Sequence, residues 1–289
     1  MPLHGLPESE LRDHCKRSLE TLEYWLRRFI DLELSAAYGP NYLDASRPSG
    51  GRVIRGDMAR RLKERSAQEP TRFPRPIDAA FLEDEIDLIC NPALYSAHFS
   101  AGLRAAFPQG TDEARTFLSR LVQPRNALSH ANTISVHDAH RVLCYSQDVI
   151  NALKEYYKGQ NLQQQFNAPL VIRVVDSLGH AVELSPRRDG PAMLDYSRDE
   201  PSYLRCGDTL SIEVDVDASF DPSGYDIRWL ISNIGGPPQH GPKFSLTLTE
   251  RYVSTRFCAV CHVISKASWH RFGTHDDQLD IAYRVLPPL

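Results

Sequence analysis

Apolar residues in the first half of the chain recur at helical spacing. From Glu8 to Ala37, the positions Leu11, Cys15, Leu19, Leu22, Leu26 and Phe29 are separated by 4, 4, 3, 4 and 3 residues, which lays one apolar stripe along a helix. Arg12, Lys16, Glu20, Glu23 and Arg27 fall elsewhere around the axis, and Gly39-Pro40 stops the element. Further helices are expected at about 78–90, 93–107 and 112–122, separated by Asn91-Pro92 and Pro108-Gln109-Gly110. A last helix is expected from Ser135, which has the capping-box spacing to Asp138, through Val142, Tyr145, Val149, Leu153 and Tyr156 to Gly159.

After a polar stretch at 160–168 (QNLQQQFNA) the period changes to two. Leu210, Ile212, Val214 and Val216 alternate with Ser211, Glu213, Asp215 and Asp217. Similar alternation runs through 227–231, 244–248 and 279–285, with turn signals at 221–224 and 235–238. The expectation is two domains: an all-α bundle over 1–159, a linker over 160–168, and an all-β antiparallel sandwich of seven or eight strands over 169–289. An inward Trp229 in that sandwich is similar to the strand-C tryptophan of immunoglobulin-type domains.

Composition narrows the class. Of 289 residues, 42% are apolar and 24% charged, which excludes a disordered chain, a collagen or a disulfide scaffold. No apolar run reaches the ~18 residues of a membrane helix. The N-terminus (MPLHGLPESE) lacks a secretory pattern. Six cysteines are too sparse to staple a chain of this length, so reduced thiols and a cytoplasmic location, with no membrane contact, are expected. Residues 1–160 carry 21 Lys and Arg against 21 Asp and Glu, and residues 161–289 carry 12 against 16, so the whole net charge of −4 belongs to the second half. A global basic field for nucleic acid is absent, and any such contact must be local.

The residues with candidate chemistry are Arg125, Asn126 and His130, expected between two helices. Histidine titrates near neutrality and suits general acid–base work, while arginine is a permanent cation whose fork matches phosphate oxygens. Four residues apart, Asn126 and His130 share a helix face, so the amide could orient the imidazole. Arg125 and His130 are five apart, about 140° around a helix, so one copy does not obviously make a two-sided site. The other reading of these residues is helix capping and a buried polar bridge.

The Arg-Asn-x-x-x-His pattern in its helical setting, over about residues 8–158, resembles the HEPN superfamily. That resemblance implies a metal-independent endoribonuclease with Arg125, Asn126 and His130 as catalytic residues, acting as a homodimer whose two motifs line one cleft. It also leaves open a relative that only binds nucleotide or RNA, or assembles a complex. No metal or other cofactor is expected, because the attacking group would be the 2′-OH of the RNA itself. Stretches 225–233 and 252–263 are faintly similar to sandwich sensor domains of bacterial antiviral effectors, which implies a regulated toxin or antiphage protein. The sandwich would receive a protein or small-molecule regulator, with 235–242 and 270–277 as exposed contact loops.

Residues 45–76 hold nine Lys and Arg against Asp57, Glu64 and Glu69, a net of +6. Arg52, Arg55, Arg60, Arg61 and Lys63 are therefore candidate RNA-binding residues. The alternative is a solvated, partly disordered insertion. Cys258, Cys261 and His262 match the pattern for covalent haem attachment, but they sit in an expected strand. The same cysteines could form half a zinc site with His270 and His275, but in a strand residues three apart point to opposite faces, so structural thiols are expected.

Overall fold

The computed structural model describes residues 3–47, 50–162, 167–184, 190–232, 235 and 237–288. The chain divides between Leu162 and Gln163 into two compact units, one helical and one rich in sheet.

In the helical unit, α1 (Glu8–Tyr38) buries the stripe read from its spacing: Leu11, Cys15, Leu19, Leu22, Leu26 and Phe29 are all covered. It packs against the last helix, α7 (Val136–Gly159), where the Trp25 and Tyr157 rings lie 5.8 Å apart. Ser135 caps α7 by accepting from the Asp138 N–H at 3.0 Å. Between them lie α2 (Gly56–Gln68), α3 (Leu82–Ile89), two short turns α4 (Pro92–Leu94) and α5 (Ser100–Leu103), and α6 (Thr111–Ser129). Gly102 lets α5 approach α1 closely, since a Cβ there would sit 2.5 Å from Phe29 Cζ.

Several boundaries differ from the sequence reading. The expected helix at 78–90 is a 3-10 turn, Pro76–Ala79, followed by α3. The one at 93–107 is broken by a π-helical turn, Tyr95–Phe99, and ends at Leu103. Helix α6 does not stop at 122 but continues through Pro124 to Ser129, so Arg125 and Asn126 lie within a helix. Proline removes a backbone donor, yet Leu121, Pro124 and Leu128 form a buried stripe whose burial favours continuing the helix. The 45–76 insertion contains an ordered helix, α2, which buries Met58, Ala59 and Leu62.

The second unit contains β1 (Val171–Asp176), β2 (Ala181–Glu183), β3 (Ala192–Asp195), β4 (Leu204–Arg205), β5 (Thr209–Val216), β6 (Tyr225–Ile231), β7 (Gln239–His240), β8 (Lys243–Thr247), β9 (Ser254–Ser265) and β10 (Asp277–Leu286). One sheet has the order β2-β1-β5-β8; the other runs β3-β10-β9-β6-β7, with β4 also on β10. A single core joins residues of both sheets, including Val174, Ile212 and Phe244 from one and Trp229, Cys261 and Ile281 from the other. The inward Trp229 donates its indole N–H to the Gly241 carbonyl at 3.0 Å. Pairing is not wholly antiparallel: β3 and β4 run parallel to β10. Short parallel partners cannot be read from alternation alone, because both directions share a period of two. Residues 163–166 of the expected linker lie outside the described residues.

Candidate functional site

The last turn of α6 places the motif. Helix α6 ends in a Schellman arrangement, with the Ala131 N–H donating to Leu128 O and the Asn132 N–H to Ala127 O. The reversal requires a left-handed residue, and here it is Ala131 at φ 57° rather than a glycine. This turn sets His130 at the helix end, exposed and with no side-chain partner among the described residues. His130 and Asn126 line one open depression of about 530 Å3, together with Ser119, Gln123 and Asn132.

Arg125 faces the other way. Its Nε donates to Glu23 Oε1 at 2.9 Å, and its guanidinium lies 5.1 Å over the Phe81 ring. Burial alone would weaken its charge. The Glu23 hydrogen bond and the charges of Glu23, Glu83 and Glu85 outweigh burial and raise the Arg125 pKa. Arg125 Nη1 donates to Asn126 Oδ1 at 3.4 Å, and Asn126 Nδ2 donates to Glu83 Oε1 at 3.0 Å. The amide is therefore fixed by Arg125 and Glu83, and does not orient the imidazole of His130. Arg125 Nη2 has no hydrogen-bond partner among the described residues.

Behind this pair lies a carboxylate-rich layer. Arg27 bridges Glu85 Oε1 at 2.9 Å, Glu23 Oε2 at 3.1 Å and the Asp78 carbonyl at 3.1 Å. Glu85 is fully buried, and desolvation pushes its carboxyl well above the usual range despite Arg27 and Arg125 nearby. The motif thus rests on α1 and α3 through Glu23, Glu83 and Glu85. Nothing in the sequence spacing pointed to these three residues, because the contacts are made across the bundle.

The candidate RNA-binding residues are mostly engaged. Arg52 and Lys63 pair with Asp44 at 3.9 and 2.5 Å, Arg55 with Asp87 at 3.4 Å, and Arg61 with Asp84 at 2.7 Å. Arg60 is exposed and has no ion pair among the described residues. The local excess of +6 omitted Asp44, Asp84 and Asp87, which lie outside the 45–76 window in sequence and beside it in space.

In the second unit, Cys258 and Cys261 on β9 show opposite burial, half-buried and buried. His262 stacks on His275 with ring centres 4.2 Å apart. Among the described residues, no three His, Cys, Asp or Glu side chains group as a metal site would require. The expected contact loop at 270–277 is not wholly outside the core: Asp276 and Asp277 are fully buried. They accept backbone N–H groups from Ser265 and Arg271, and from Val171. The loop at 235–242 includes β7, and Gly236 lies outside the described residues.

A Ser–His–Asp chain escaped the sequence reading because its members are far apart. His180 Nδ1 lies 2.6 Å from Asp176 Oδ2, and His180 Nε2 lies 3.0 Å from Ser202 Oγ. Ser202 is only 1% exposed, and its hydroxyl proton is directed to Asp199. Tyr283 also donates to Asp176 Oδ2, at 2.8 Å. A buried hydroxyl whose proton is already committed is a poor nucleophile. The chain therefore acts as a polar clasp joining β1, the turn after it and β10.

No protein-family model, curated protein or solved structure matches this chain. Among the described residues, no helix is long and apolar enough to cross a membrane.

Proposed function

We propose that the helical unit is a HEPN-like domain that cleaves RNA without a metal, through Arg125, Asn126 and His130. The observation that carries this reading is the exposed, unpartnered His130 sharing one open depression with Asn126, whose amide is pinned by Arg125 and Glu83. His130 removes the proton from a ribose 2′-OH, or returns one to the leaving 5′-oxygen. The 2′-oxygen bonds to phosphorus as the P–O5′ bond breaks, leaving a 2′,3′-cyclic phosphate and a 5′-hydroxyl. Arg125 supplies fixed positive charge for the phosphorane through its free Nη2 edge. Arg125 and His130 point apart, so a second copy of the chain completes the cleft, and Arg60, exposed and with no ion pair among the described residues, contacts the RNA backbone. The second unit is an immunoglobulin-like sandwich that docks a regulator, in a cytoplasmic toxin or antiphage effector.

A second reading is favoured by the Glu23–Arg125 pair. A guanidinium already neutralised within its own bundle suits a domain that binds nucleotide or RNA without cleaving it. Incubating the full chain with single-stranded RNA in EDTA separates the two. Cleavage that His130→Ala abolishes supports catalysis, whereas binding without cleavage supports the second reading.

A further inference from the structure

The depression beside His130 has a lining that suits the base of an RNA, an inference that rests on RNA occupying the site proposed above. Ser119, Gln123 and Asn126 follow one another at steps of 4 and 3 residues and make one polar stripe along α6, which runs on to His130 at the helix end. Asn132 closes the stripe from the turn beyond. From this arrangement we infer that the depression reads an adenine through the carboxamides of Gln123 and Asn132, next to the linkage held at His130.

The chemistry of the lining favours a base over a phosphate. No Lys, Arg, Asp or Glu is among the residues that line the depression. Side chains meet base edges by a short code: Arg or Lys pairs with O6 and N7 of guanine, Asp or Glu accepts from N4 of cytosine, and Asn or Gln pairs with N6 and N7 of adenine. The first two pairings find no residue here, and the third finds two. On the same edge uracil, which like thymine carries O4, offers an acceptor and no donor, so it uses half of an amide. Single-stranded RNA splays its bases out, which brings these edges within reach of side chains.

The two amides are free to pair. Gln123 and Asn132 are exposed, and neither side chain has a hydrogen-bond partner among the described residues. Asn126 differs, since its oxygen accepts from Arg125 Nη1 and its nitrogen donates to Glu83 Oε1. The backbone under both amides is fixed. Gln123 lies in α6 between buried Leu121 and buried Pro124, and the Asn132 N–H donates to Ala127 O at 2.9 Å. Val122 and Ala127 supply apolar contact for the face of the base. Gln123 and His130 are seven residues apart, about 10 Å along the helix, which leaves room for a sugar and phosphate between the base and the reacting group. At about 530 Å3 the depression falls within the roughly 300–1,000 Å3 of small-molecule sites, enough for a purine nucleotide.

The test uses the full chain and four octamers of 2′-O-methyluridine, each with one central A, G, C or U. These lack the attacking hydroxyl, so binding is read without cleavage. The adenine octamer is expected to bind about fivefold or more tightly than the other three. Gln123→Ala and Asn132→Ala each lower that preference and leave binding of the all-uridine octamer nearly unchanged. Gln123→Glu shifts the preference toward cytosine, because a carboxylate accepts from N4 and has no donor for adenine N7. All three substitutions are at exposed positions, and thermal melts verify that the variants are folded. Equal binding of the four octamers overturns the inference, as does an adenine preference that either alanine variant or Gln123→Glu leaves at the parental level. If RNA is still cleaved by the parent and not by His130→Ala, the ribonuclease reading survives that failure. A chain that binds no octamer and cleaves no RNA removes both.

Discussion

Arg125 Nε and Glu23 Oε1 lie 2.9 Å apart and join α6 to α1 across 102 residues of sequence. Both side chains are largely covered, 19% and 9% exposed, so the pair holds the bundle together as well as orienting the motif. The two motif residues should therefore respond differently to truncation. Arg125→Ala leaves Glu23 without one charged donor and should cost about 1.5–3 kcal/mol of stability. His130→Ala removes an exposed ring and should change stability by no more than about 0.5 kcal/mol. Denaturant melts of both variants check this, and equal losses in the two would contradict the geometry.

Glu85 makes stability depend on pH in a defined direction. Its folded-state pKa lies above the unfolded value of about 4.3. Its favourable contribution is therefore complete below that unfolded value and is lost as pH rises through the raised one. Glu85→Gln keeps an oxygen for Arg27 Nε and carries no charge to desolvate. Relative to the parent, the variant should gain stability between pH 4 and pH 8, read as a growing difference in denaturation midpoint. A difference that shrinks as pH rises would show the opposite sign.

Ala131 is strained, with φ 57° in the turn that presents His130. A non-glycine residue there costs about 1–2 kcal/mol, of which glycine recovers part at the expense of a more flexible unfolded chain. Ala131→Gly should raise stability by about 0.5–1 kcal/mol, measured by thermal unfolding. A loss of stability would mean that the left-handed turn is not formed in solution.

The helical stripe of α1 and the alternation of β5 were legible because each depends on spacing within one element. Gly39-Pro40 and the Ser135 cap are equally local signals. The end of α6 was placed at 122 rather than Ser129, because the burial of Leu121, Pro124 and Leu128 that carries the helix past a proline is tertiary. Counting charge along the chain missed the acidic partners of the basic cluster, since Asp84 and Asp87 reach Arg61 and Arg55 only after folding. Asp176, His180 and Ser202 were missed because a bent chain, not a spacing rule, brings them together. Of the candidate site, the common side of Asn126 and His130 was readable, since both line one depression. The carboxylates that hold Arg125 and Asn126 were not.

The arginines of α2 should separate by function. Arg60 is exposed and has no ion pair among the described residues, so Arg60→Ala should weaken RNA binding and lower the slope of log affinity against log salt by about 1. Arg61 is bound to Asp84, and Arg61→Ala should chiefly lower the melting temperature. Filter-binding titrations at several salt concentrations, with parallel melts, check both. An unchanged salt slope for Arg60→Ala would remove α2 from the RNA interface.

The chemistry at His130 is tested most directly by the ends of the RNA products. Full-length protein is incubated in EDTA with an RNA and with its 2′-O-methyl counterpart, and the fragments are resolved by mass. The account predicts fragments ending in 2′,3′-cyclic phosphate and 5′-hydroxyl from the RNA alone, and none from either substrate with His130→Ala. Cleavage of the 2′-O-methyl strand, or undiminished cleavage by His130→Ala, would contradict it.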